Sequence, residues 1–434
     1  MLRKLTYAFL ILVLVLAGGF LIRLTHKPAT ERWDALKRRV DELKAAAQTN
    51  PSPRTVLRGE PQAGNAWEEY RLALRDTGSW DEGERGVSLY FYAGGRPGVD
   101  RSIVEPLLAK KAEALEHLRR GAQRPDNLYR HNWEQAWLRG QFDRGQSIQL
   151  AMVAAAQSRF LTETGKAQEA ANVLLDTTVF ARDLMTNSPL NSSLRGYEVY
   201  RVAFEGLRKV VESGKLSKSE LVELGQKLEQ VDKDFPTMTS VFAFENLPFG
   251  AWLTSQVTAT QKLPWARQVE QYAEDTMLAL DHVDWRFILA SSETKLEVFE
   301  LKEKLLERVA KLDGMSFKEA RDEADAIRKD AESSPNRLLP SMMPNVHRIL
   351  ITHRKTVAPL RLIRAGVRVL AGGTMPELAD PFGDNLLYSE ENGKMKIWSI
   401  GRDATIQGGF ANWRGESDLV LELPRQTPTG RIRP

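Results

Sequence analysis

Leu5 to Ile22, LTYAFLILVLVLAGGFLI, is a run of 18 residues without a charge, bracketed by Arg3, Lys4 and Arg23. As a helix rising about 1.5 Å per residue it spans roughly 27 Å, close to the hydrocarbon thickness of a bilayer. A chain with such a run is expected to keep everything after it on one side of a membrane. A cleaved leader has an apolar core of about 7–15 residues that ends at a small-residue site. Here the core is longer, and the small cluster Ala17-Gly18-Gly19 runs on into Phe20-Leu21-Ile22. The segment therefore reads as a retained anchor, with residues 5–22 contacting the lipid bilayer. Basic residues on its two sides, Arg3 and Lys4 against Arg23, Lys27 and Arg32, nearly balance. A short N-terminus ahead of a first span usually stays in the cytoplasm. The expectation is thus a single-pass protein of a bacterial inner membrane with its body in the periplasm.

The body has a soluble character, with 27% charged and 42% apolar residues. Its 434 residues exceed what one core fills, so subdomains or a helical array are expected. A net charge of +4 spread over such a surface does not call for a nucleic-acid partner. The chain has no cysteine, which excludes disulfides, thiolate catalysis, Cys-ligated zinc and a lipid-modified cysteine.

Periodicity divides the chain into a membrane anchor (1–27), a helical stalk or linker (28–60), an α-helical body (61–372) and a small β module with a loose tail (373–434). In the stalk, Trp33, Leu36, Val40 and Leu43 recur at helical spacing, and the Pro-containing run from Asn50 to Pro53 stops the helix. A helix over 61–76 carries Trp67, Tyr70 and Leu74 on one face. The glycine-rich stretch 77–100 reads as a loop with an extended aromatic run, Leu89 to Tyr92. From 101 to 372 helix follows helix, with candidates at 101–121, 130–140, 144–163, 166–187, 192–213, 217–232, 236–258, 264–281, 283–312, 316–332 and 341–371. Ser217 with Glu220 and Ser316 with Glu319 are capping-box pairs. Gly165 followed by Ala170 and Ala171 resembles the junction of tetratricopeptide repeats, but no 34-residue period exists to support a regular array. The fold class expected is mainly α: one transmembrane helix, an irregular antiparallel helical array and a C-terminal β-hairpin module. That hairpin is predicted from Asn392-Gly393 between NLLYSE and KMKIWSI, with a third strand at Asp418–Leu423.

The C-terminal segment carries a resemblance. Asp380-Pro381-Phe382-Gly383-Asp384, Tyr388, Trp398 through Asp403, Gly408-Gly409 and Asp418-Leu419 resemble the C-terminal β region of type II secretion major pseudopilins. The resemblance covers about 380–423. It implies a calcium-binding last loop with Asp403 and Asp418 as side-chain ligands, calcium being the one cofactor so implied; calcium takes about 6–8 oxygens. Read without the family, these aspartates cap turns. The N-terminus lacks the prepilin processing signature, so polymerisation as a pilin is not expected.

The stretch from Asn336 to Gly373 has no acidic residue, and at 100° per residue Arg354, Arg361, Arg364 and Arg368 share one helix face. A basic amphipathic helix can meet a membrane surface or an anionic polymer. It can equally pack against acids, and Glu319, Asp322, Glu323, Asp325, Asp330 and Glu332 lie just before it. The six histidines include no His-x-x-x-His pair, and Asp281-His282-Asp284 could place carboxylates beside an imidazole. Trp133 with Trp137, and Phe242, Phe244, Phe249 and Trp252, suit either an aromatic groove or core filling. No motif for a catalytic serine, a P-loop or a dinucleotide fold occurs in its context. The function expected is a non-catalytic, membrane-tethered envelope protein that holds a protein partner. The alternatives are an accessory of a secretion or pilus-like system, or an envelope hydrolase using paired carboxylates.

Overall fold

The structure, a computed structural model, describes residues 30–49, 54–78, 84–96, 98–134, 144–260, 290–391, 394–401 and 419–423. The expected anchor at 5–22 lies outside them. Among the described residues no helix is long and apolar enough to cross a membrane.

The chain is mainly helical with one small antiparallel sheet. Helix α1 (Thr30–Gln48) buries the stripe predicted for it, Trp33, Leu36, Val40 and Leu43, and Ala47 one turn further on is buried with them. The stripe is covered by Phe249 and Trp252 on α11 (Leu247–Thr260) and by Phe299 on α12 (Ser292–Val309). Gly250 allows this approach, because a Cβ there would sit 2.6 Å from the Phe299 ring and 2.8 Å from Val40. Arg32 reaches Glu300 on α12 at 2.7 Å, and Arg39 pairs with Glu303. A segment read as a stalk is therefore packed onto the body. Each buried apolar side chain of that size contributes about 1.5–3 kcal/mol, enough to hold it there. The linker after it is anchored too: Arg54 lies within the body, its guanidinium 3.0 Å from Asp183.

The larger core is built by α2 (Ala66–Thr77), α5 (Ala112–Ala122), α6 (Arg144–Glu163), α7 (Ala167–Met185), α8 (Leu190–Glu212), α9 (Lys218–Lys233), α13 (Phe317–Glu332) and α15 (Val346–Leu370). The α6–α7 turn is a Schellman motif: Lys166 N–H reaches Leu161 O at 2.8 Å, Gly165 N–H reaches Thr162 O at 3.2 Å, and Gly165 has φ +84°. Ala170 and Ala171 are buried beside it, as the spacing implied. Gly196 brings α8 onto α7; a Cβ there would lie 2.7 Å from the Ala181 carbonyl. Both predicted capping boxes form, at Ser217–Glu220 and Ser316–Glu319.

Several boundaries differ from the sequence reading. Residues 84–93, expected as loop and extended run, form helix α3 (Glu84–Ala93). Leu89 and Tyr92, three apart, insert against Val153 and Ala156 of α6, and this packing overrides the β propensity of the aromatic run. The 101–121 segment is two helices, α4 (Arg101–Lys110) and α5, broken at Lys111. The 236–258 segment divides into α10 (Met238–Phe242) and α11 ahead of Pro248. The 341–371 segment divides at Pro344 into α14 (Leu339–Met342) and α15. Candidate 264–281 and the turn pair Asn392-Gly393 lie outside the described residues.

At the C-terminal end β1 (Leu387–Glu391), β2 (Lys394–Ser399) and β3 (Leu419–Glu422) form a sheet in that order. Glu391 pairs with Lys394 and Ile397 with Leu421, so two residues join β1 to β2 as the sequence predicts. The turn before β1 is organised by Asp380, whose carboxylate accepts from Phe382 N, Ser399 Oγ (2.6 Å) and Ile400 N. The sheet packs on α15, where Gly366 lies against Leu421 and Leu423.

Candidate ligand-binding pocket

Where the sheet meets the helices there is a cavity of about 300 Å³. One stripe of α8 supplies Arg201, Val202, Glu205, Gly206 and Lys209, residues that helical spacing puts on a single face. Met152 and Ala155 of α6 and Pro359 of α15 form an apolar floor, and Phe382 and Leu419 of the β module close it. Pro359 sits within α15 and has no N–H to give to the preceding turn, so one hydrogen bond of the helix ladder is not made at this wall. Tyr90 and Phe91 of α3 stand at the edge; Tyr90 is 49% exposed.

The charges on this lining are one-sided. Among the described lining residues Arg96, Arg201, Lys209 and Lys355 are cationic and Glu205 is the one acid. Glu205 is already held by Arg208 at 2.7 Å. Lys209 donates to the Ala93 carbonyl at 3.2 Å, and burial holds its ammonium below the ordinary lysine value. The Arg96 guanidinium lies 5.0 Å from the centre of the Phe91 ring. Cations beside an apolar hollow suit a ligand with an anionic head and an apolar body.

A second cavity of about 300 Å³ lies between α5, α6 and α7 beside Arg58. It holds three carboxylates, Glu116, Glu169 and Asp176. Each faces a cation: Asp176 takes Arg58 at 2.9 and 3.2 Å, Glu116 takes Arg119 and Arg120, and Lys166 lies 3.6 Å from Glu169. Burial pushes the Asp176 carboxyl up to about 6 against the pull of Arg58.

The expected basic face of α15 is largely folded inward. Arg364 pairs with Asp232 of α9, Arg361 lies 3.6 Å from the same carboxylate and donates to the Ala379 carbonyl, and Arg354 donates to the Met315 carbonyl. Arg368 alone of the four is exposed. The acid that answers this face is thus Asp232, not the acidic run of α13; from that run Asp325 takes His347 at 2.9 Å instead. Asp403 and Asp418, the calcium ligands implied by resemblance, lie outside the described residues, as do Trp137 and Asp281-His282-Asp284. Phe242, Phe244, Phe249, Trp252 and Trp133 are buried, and they fill the interior instead of lining a groove. Tyr129 meets His131 edge to face and His131 meets Trp133 at a tilt, each at 4.6 Å, with His131 in an irregular segment at the start of the helix expected over 130–140.

Sequence reasoning missed Arg201, Lys209 and the acid Asp232. The α8 stripe was visible as a spacing, but nothing in it announces that α3 and the β module would roof it. Comparison with protein-family models, curated proteins and solved structures gives no match to the chain.

Proposed function

We propose that the protein is a membrane-tethered binding protein of the bacterial envelope, held by residues 5–22, whose body takes a small anionic amphiphile between its helices and its β module. The observation that carries this reading is the lining of the cavity: apolar Met152, Val202, Pro359 and Phe382 together with the cations Arg96, Arg201, Lys209 and Lys355. The lining supports capture more than conversion. Its one acid is engaged by Arg208, and the described lining offers no histidine, serine, threonine or aspartate to serve as base or nucleophile. A volume near 300 Å³ is at the small end for ligand sites, which suits a single-chain carboxylate or phosphate. A body that binds its ligand in this way fits the holding role expected from the sequence, with the sheet as a wall that a protein partner could read.

The test uses the full chain in non-ionic detergent and three probes of equal tail: a dodecyl phosphate, a dodecanoate and a dodecyl trimethylammonium. Calorimetry is expected to show the two anions binding at least tenfold more tightly than the cation. Arg201→Glu is expected to remove that preference. Equal affinity for all three heads, or a preference untouched by Arg201→Glu, overturns the reading.

A further inference from the structure

Away from the pocket, α2 and α5 bring together three side chains whose acceptor atoms converge. His117 and Glu113 lie four residues apart on one face of α5, and Asp76 comes from the last turn of α2. His117 Nε2 is 3.7 Å from Asp76 Oδ2 and 3.9 Å from Glu113 Oε1, and the ligand atoms all lie within 4.8 Å of one another. On its other side the ring is fixed: Nδ1 hydrogen-bonds the Glu69 carboxylate at 2.6 Å, and Glu69 is itself held by Arg124 at 2.5 Å. An anionic carboxylate accepts, so Nδ1 donates to Glu69, and Nε2 is the ring nitrogen turned toward the two acids.

His117 Nε2 and the two carboxylates then face one another. His117 is only 8% exposed, and its Nε2 makes no hydrogen bond, since both oxygens are beyond hydrogen-bond reach. Asp76 Oδ2 is buried and receives no donor; Arg75 is spent on the other oxygen, Oδ1, at 2.7 Å. Lys111, the next cation along, is committed to the Thr77 carbonyl at 2.5 Å. A buried carboxylate oxygen without a donor is costly, so Asp76 Oδ2, with Glu113 and His117 Nε2 beside it, asks for a positive charge.

We propose that Asp76, Glu113 and His117 form a site for a divalent first-row transition cation, of which zinc is the representative, with Glu69 orienting the histidine from behind. A nitrogen and two carboxylates are ligands zinc accepts, and the carboxylate–histidine–metal relay is the usual way a ligating imidazole is oriented. Ligand bonds of about 2.0–2.1 Å at a tetrahedral centre put donor atoms about 3.4 Å apart. The observed 3.7 and 3.9 Å therefore close by a few tenths of an ångström, and the Asp76–Glu113 separation, which is within 4.8 Å, closes to the same value. Glu113, whose side chain is 76% exposed, can turn to supply that movement. Three protein ligands leave the fourth position to water or to a small ligand.

The experiment titrates zinc into the chelator-treated full chain by calorimetry, with cobalt absorption as a second readout of coordination. One zinc per chain is expected, bound at least tenfold more weakly by Glu113→Gln and not measurably by His117→Gln. Glu113 is exposed, so its variant folds and decides the matter even where His117→Gln does not. Absence of zinc binding by the wild-type chain, or unchanged affinity in Glu113→Gln, overturns the proposal and leaves His117 as an imidazolium shared among acids.

Discussion

Arg54 and Asp183 meet 3.0 Å apart with both side chains fully out of solvent. Around them Tyr70 Oη and Asn127 Nδ2 donate to the same carboxylate at 2.8 and 2.6 Å, while Arg54 Nε donates to the Arg124 carbonyl at 2.9 Å. The pair fastens the linker after α1 to the centre of the larger core. Removing one partner of a buried, hydrogen-bonded pair strands the other in low dielectric. Arg54→Met is expected to cost about 3 kcal/mol, read as a lower urea midpoint with an unchanged slope.

Close approach of α7 and α8 depends on Gly196, since a Cβ would meet the Ala181 carbonyl at 2.7 Å and the Met185 side chain closer still. Backbone cannot step aside as a side-chain end can. Gly196→Ala is expected to destabilise by about 1–3 kcal/mol despite the better helix propensity of alanine. Thermal unfolding of the two chains checks this; an unchanged or raised midpoint would contradict the packing described.

Two groups, His353 and Asp176, oppose each other as pH falls. Burial holds His353 down to about 4, and its Nε2–H donates to the Pro236 carbonyl at 3.0 Å. Between pH 6.5 and 4 the unfolded chain takes up that proton and the folded chain does not, so stability falls with pH by up to about 3 kcal/mol. Asp176, pushed up to about 6, works the other way: the folded carboxyl is protonated first, and stability rises as pH falls from about 6 to 3.8. Denaturant titrations from pH 7 to 4 are expected to show a steeper acid loss in Asp176→Asn and a shallower one in His353→Gln than in the wild type.

The pairing of Arg361 and Arg364 with Asp232 makes α15 a packed helix more than a charged surface. Asp232→Asn is expected to cost about 1–3 kcal/mol, because it leaves two half-buried guanidiniums without their carboxylate. Arg368→Ala, on the exposed end of the same face, is expected to change stability by less than about 0.5 kcal/mol. Equal effects of the two changes would mean that the face is solvated throughout.

What was legible in the sequence was local. The stripe Trp33–Leu36–Val40–Leu43, the capping boxes at Ser217 and Ser316, the helix junction at Gly165 and the β1–β2 hairpin each follow from residues close together in the chain, and each forms as read. Helix α3 was not legible. Leu89 and Tyr92 suit a strand or a helix equally until Val153 and Ala156, some sixty residues on, supply the surface they pack into. The same holds for the sites. A spacing shows that Glu113 and His117 share a face, and that Arg201 and Lys209 do, but not what stands opposite.

By itself, then, the sequence determined the capped helix starts at Ser217 and Ser316, the apolar face of α1, and that an 18-residue uncharged run stands at the N-terminus. Tertiary structure alone decided that α1 is packed onto the body, that Asp232 answers the arginines of α15, that cations gather over one hollow, and that Asp76 faces His117. Hydrogen bonds along a helix and side chains three or four apart are fixed by chain geometry. Partners a hundred residues away are fixed only by which surfaces the whole fold presses together.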